Sequence, residues 1–106
     1  MKITTLKLEE ATAFPDLNAA EGKEAGFARE VLNLSALKYK HFRAVALKPE
    51  EDQMHYLMMQ MTGLSDDDLG ELLPSDAAKL SELVFDSMKE YLQLGQKIVK
   101  NMELDK

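Results

Sequence analysis

Three groups of residues have types and spacings that invite a chemical reading: the run Lys38-Tyr39-Lys40-His41-Phe42-Arg43, the acidic triplet Asp66-Asp67-Asp68, and the methionines Met54, Met58, Met59 and Met61. Cations beside aromatics could position phosphates and stack on bases. Three fixed cations neutralise few phosphates, however, and the chain around them is acidic, so an amphipathic helix with solvated cations explains the run better. A protein partner bearing an acidic strip stays open. Adjacent carboxylates could hold calcium or magnesium through oxygen. A calcium loop counted from Asp66 needs glycine at the sixth position and glutamate at the twelfth, and these are Glu71 and Ala77. The triplet therefore reads as the acidic first turn of a helix, where the helix dipole favours negative charge.

His41 and His55 are the only histidines, and neither stands in a catalytic or zinc-binding spacing with a Ser, an Asp or a second His. No cysteine is present, which excludes a disulfide framework, thiolate metal sites and thiol catalysis. The expectation is a non-enzymatic protein with no cofactor and no metal. The methionines carry the most distinctive chemistry, because a flexible, polarizable side chain suits adaptable binding surfaces. Met54, Met58 and Met61 share a stripe with Leu57 at helical spacing and read as core; Met59 lies off it and, beside Tyr56, is a candidate exposed contact.

Around these groups the chain reads as one α+β domain, mainly helical, over residues 1–106: an N-terminal strand pair with a long connection in 1–34 and a helical part in 35–102. Its apolar fraction of 45% and charged fraction of 30% are those of a soluble globular chain. The net charge of −6 is uneven. Residues 1–48 carry eight Lys and Arg against six Asp and Glu, and residues 49–106 carry five against thirteen, which argues against nucleic acid as the main ligand. The N-terminus lacks the apolar core of a secretory leader, and no run approaches the ~20 apolar residues of a membrane span. A cytoplasmic protein with no membrane partner is expected.

Alternation predicts a strand over Ile3–Leu8 and a partner over Phe27–Leu34, with residues 9–26 irregular apart from a short helical turn. A helix with Ser35 as N-cap is predicted to end near Leu47. Pro49 suits the first position of the next helix, which is predicted to run to Thr62 and close on Gly63 in the left-handed conformation. Ser65 should cap a short helix over Asp66–Leu73, stopped by Pro74. Ser75 should cap the last helix, whose stripe is Leu80, Leu83, Val84, Ser87, Met88 and Tyr91. Gly95 could end or kink it, although Ile98 and Met102 are spaced for a continuation, and Glu103–Lys106 read as mobile.

The ordered text Leu34-Ser35-Ala36-Leu37-Lys38-Tyr39, Met58-Met59-Gln60-Met61-Thr62-Gly63-Leu64-Ser65 and Leu72-Leu73-Pro74-Ser75-Asp76-Ala77-Ala78-Lys79-Leu80 resembles the tail assembly chaperone family of Mu-like and P2-like tailed phages and prophages. The resemblance implies an N-terminal strand pair, a helix ending in a Thr-Gly-Leu turn and an acid-bearing turn before the last helix. It also implies a non-catalytic activity: coating the tape measure protein, a long and largely helical chain, in the host cytoplasm until tail tube subunits assemble around it. The tape measure protein is then the expected partner, with the tail tube protein and self-association as further expectations. Lys38, Tyr39, Phe42, Arg43, Tyr56 and Met59 are the candidate contact residues. The alternative is a small regulatory or adaptor protein of a mobile element, touching nucleic acid weakly through Lys38, Lys40 and Arg43.

Overall fold

In the computed structural model, the backbone is described for residues 4–104 and side chains for residues 4–93. Strand β1 (Thr5–Ala13) is followed by helix α1 (Pro15–Ala20), strand β2 (Ala28–Asn33) and helices α2 (Tyr39–Val45), α3 (Glu50–Thr62), α4 (Asp66–Leu69) and α5 (Pro74–Leu104). The α+β, mainly helical architecture agrees with the expectation. Ile3 and the last two residues lie outside the described range, so what was expected of them is not addressed.

Strands β1 and β2 form an antiparallel pair, with Leu6 opposite Leu32 and Lys7 opposite Val31. Leu6, Leu8, Leu32 and Leu34 turn inward, as side chains two apart on a strand must, and join Phe14, Leu57, Met61, Leu64, Leu69, Leu80 and Val84 in one core. The register then slips. Thr12 pairs with Arg29, so residues 8–11 of β1 stand opposite Glu30 alone. An irregularity of this kind leaves backbone groups outside the ladder.

The connection expected to be irregular is more ordered than its composition suggests. The strand reaches Ala13, and Pro15 at the first turn opens α1, as its fixed φ and missing N–H allow. Helix α1 closes in a Schellman arrangement: Gly22 adopts φ +73°, its N–H donates to the Ala19 carbonyl at 3.2 Å, and the Lys23 N–H donates to that of Asn18 at 2.8 Å. The buried Asn18 amide donates to the carbonyls of Ala25 and Phe27 and accepts from Arg29. A single polar side chain thereby fixes the path into β2.

Helix starts differ from expectation in three places. Ser35 is not an N-cap; its N–H donates to the Met61 carbonyl at 2.8 Å, tying the exit of β2 to the end of α3. Helix α2 begins at Tyr39, and the Lys38 N–H donates to Nδ1 of His41 at 2.9 Å, so the histidine fills the role of the glutamate in a capping box. Pro49 is the N-cap of α3 and not its first residue. Gly63 closes α3 at φ +73° as predicted, while Thr62 donates its hydroxyl to the Met58 carbonyl and accepts from the Leu64 N–H.

Ser65 caps α4 by accepting from the Asp68 N–H, again as predicted, but the helix stops at Leu69 and not Leu73. Pro74 is the reason. It disfavours helical backbone at Leu73 and itself opens α5. Ser75 therefore lies inside the first turn of α5 and is not its cap. Gly95 does not end α5, whose backbone continues to Leu104; the cost of about 1 kcal/mol for glycine inside a helix is too small to interrupt it.

Candidate protein-binding groove

A cavity of about 280 Å³ lies between α2 and α5, lined by Ala36, Leu37, Tyr39, Phe42, Ser87, Glu90 and Tyr91. Two helices position it. Helix α2 places Phe42 inward, and α5 brings Tyr91 beneath it at the end of its apolar stripe. The Phe42 and Tyr91 rings stack at 4.6 Å with planes 5° apart, and Tyr39 leans on Tyr91 at 6.3 Å and 44°. Both geometries fall within the range favoured by ring quadrupoles. Tyr39 is 65% exposed and Tyr91 37%, so the rim of the groove is an aromatic surface open to solvent.

The expected contact residues separate on this geometry. Tyr39 and Phe42 line the groove together, but Phe42 is buried under Tyr91 and forms its floor, not an exposed contact. Lys38 and Arg43 flank it from the two ends of the first turns of α2, with the Arg43 guanidinium 6.0 Å from the centre of the Tyr39 ring. Tyr56 and Met59 line a different part of the molecule. Met59 is half-buried and packs on the core, contrary to its expected exposure, because α3 buries a face wider than the stripe Met54, Leu57, Met58 and Met61. Tyr56 is half-buried too, with the Lys48 ammonium 4.7 Å above its ring.

Electrostatics single out the α2 edge. Lys38, Lys40 and Arg43 fall within six residues, a span of about 8 Å along a helix. None has a carboxylate partner among the described residues. Desolvation and the neighbouring Lys40 and Lys38 charges hold the His41 imidazole below its ordinary value, so near neutral pH His41 is uncharged and free to accept the Lys38 N–H. Glu90 stands on the opposite wall.

The acidic triplet has a structural role that goes beyond a first turn. Asp66 and Asp67 are exposed, and Asp66 contacts Nε2 of His55 at 2.6 Å. Asp68 is buried, and its carboxylate accepts the N–H groups of Asp16 at 3.2 Å and Leu17 at 2.8 Å, capping α1 from 51 and 52 residues away. Asp76, equally buried, does the same for the slipped strand, accepting the Glu9 N–H at 3.0 and 3.3 Å. Each clamp is reciprocal: Ser65 donates to the Asp16 carboxylate at 2.5 Å, and Ser75 donates to that of Glu9. Among the described residues no group of three or more His, Asp and Glu side chains could hold a metal ion, and no helix is long and apolar enough to cross a membrane.

Sequence reasoning placed Tyr91 on the α5 stripe but did not identify it as a groove residue. The available signal was an aromatic following the polar Ser87 and Glu90, where a purely buried stripe would continue aliphatic. Compared with protein-family profiles, curated proteins and solved structures, the chain matches none of them.

Proposed function

We propose that this chain is a tail assembly chaperone of a tailed phage or prophage, a non-enzymatic protein that binds the tape measure protein and keeps it soluble until the tail tube forms around it. One observation carries the reading: the turns on which the resemblance rests have specific geometric work in the fold. Thr62-Gly63-Leu64 is a left-handed helix close stapled by the Thr62 hydroxyl, and Pro74-Ser75-Asp76 opens α5 while clamping β1. The α2–α5 groove supports it further. An apolar groove rimmed by aromatics suits the exposed stripe of an amphipathic helix, which a long helical client presents repeatedly before assembly. The acidic C-terminal half helps keep such a complex soluble.

The test is co-expression with the tape measure protein encoded beside it. The client is expected to move from the pellet to the soluble fraction, and tails are expected to fail when the chaperone gene is deleted. An unchanged soluble fraction together with normal tails would refute the proposal. A small regulatory or adaptor protein that touches nucleic acid is a second reading, favoured only by the exposed Tyr39 between Lys38 and Lys40. Its mark would be affinity that falls steeply with salt and is lost on charge reversal at these positions.

A further inference from the structure

We infer that the α2–α5 groove takes an amphipathic helix of acidic flank: apolar side chains seat against Leu37, Phe42 and Tyr91, and carboxylates on one side of that helix meet Lys38, Lys40 and Arg43. The inference rests on the binding function proposed above and names the chemistry of the partner. Charge decides the occupant. The chain as a whole carries −6, which would repel an acidic segment at long range. Charges separated by more than about 10 Å are screened at ordinary ionic strength, so the docked segment responds to the local groups. On the α2 edge these are three cations without carboxylate partners among the described residues, beside a histidine that stays neutral.

The opposite wall sets the direction. Glu90 lines the groove from α5, and Asp86 lies one helical turn before it, so an acidic flank is accepted on the α2 side and disfavoured on the α5 side. The size of the cavity fits the same occupant. At about 280 Å³ it falls below the usual range of about 300–1,000 Å³ for small-molecule sites, yet it accommodates a bulky apolar side chain from a surface-lying helix. Tyr39 and Tyr91 then supply rigid, amphipathic contact area at its edge, as aromatic anchors do in protein interfaces.

The probes are two fluorescent 18-residue amphipathic helical peptides with the same Leu and Phe stripe and a neutral second flank, one bearing Glu on the first flank and the other Lys. Anisotropy titration of the full chain should show the Glu peptide binding about tenfold tighter, the scale that two or three exposed ion pairs reach together. The triple variant K38E/K40E/R43E, whose sites are exposed, should reverse the preference while its circular dichroism is unchanged. Tyr39→Ala should weaken both peptides.

Equal affinity for the two peptides, or a preference untouched by charge reversal, overturns the assignment. So does single-stranded DNA displacing the Glu peptide from these cations, or self-association of the chain that the triple variant abolishes, since each gives the groove another occupant. The two proposals fail separately. A triple variant that still solubilises the tape measure protein would leave the chaperone function standing and refute the groove; selective Glu-peptide binding without any effect on that protein would do the reverse.

Discussion

Replacing Asp68 by alanine tests whether the N-terminal segment is held by buried carboxylates. The side chain is 1% exposed and accepts two backbone N–H groups at the start of α1, those of Asp16 and Leu17. A hydrogen bond to a charged group contributes about 1.5–3 kcal/mol, and removing a helix cap costs about 0.5–2 kcal/mol. Asp16 itself is exposed, so water can reach its N–H once the carboxylate is gone, and the sum must be discounted. We expect Asp68→Ala to destabilise the fold by about 2–3 kcal/mol, lowering Tm by about 10–20 °C in a domain of this size. Asp68→Asn keeps one acceptor oxygen and should cost about half as much. Asp67→Ala, on the exposed side of the same turn, should stay within about 0.5 kcal/mol. Urea unfolding followed by circular dichroism measures all three, and hydrogen exchange should locate the loss at the amides of residues 16 and 17. Stability of Asp68→Ala within 0.5 kcal/mol of the parent chain, or protection at those amides left intact, would refute the capping argument.

Other substitutions probe the remaining elements. Gly63→Ala should cost about 1–2 kcal/mol in urea unfolding, because φ is +73° while nothing lies within 4 Å of an added Cβ, so the loss is purely conformational; Gly26→Ala, with equal space and no left-handed backbone, should be neutral or slightly stabilising. Tyr91→Ala should cost about 1–2 kcal/mol by uncovering Phe42, whereas Tyr39→Ala should cost less than about 0.5 kcal/mol, the order expected from their exposure. The pH dependence of α2 follows from His41. Its folded pKa is lowered, so the unfolded chain takes up the proton first; its contribution to stability is present above about pH 6.5 and is lost as pH falls toward the folded value. In an NMR titration the Lys38 amide should shift together with the His41 ring below that pH, and His41→Ala should abolish the coupled change.

Helix punctuation was legible because it is local. Gly63, Ser65 and the acids following Pro49 act within one turn of their own helix, and the period of Leu57, Met61, Leu80 and Val84 names a buried face without reference to its partner. The errors share a physical origin. Ser35 and Ser75 have the right chemistry for N-caps, but Ser35 was drawn to the Met61 carbonyl and Ser75 to Glu9 by neighbours distant in sequence. Met59 was read as exposed because periodicity describes one stripe, whereas packing from several sides buried a wider face.

The candidate site divides in the same way. Its cations and Tyr39 stand in one contiguous run, so the basic and aromatic character of the α2 edge could be read directly. The groove could not, since Tyr91 lies 52 residues beyond Tyr39 and only the docking of α5 on α2 stacks it over Phe42. By itself the sequence determined which segments are helix or strand, where α3 closes and which faces are apolar, because those depend on dihedral preferences and side-chain period. Only the tertiary structure decided that Asp68 and Asp76 hold the N-terminal segment and that two helices enclose a groove. A buried carboxylate finds its donors, and a ring its stacking partner, through space and not along the chain.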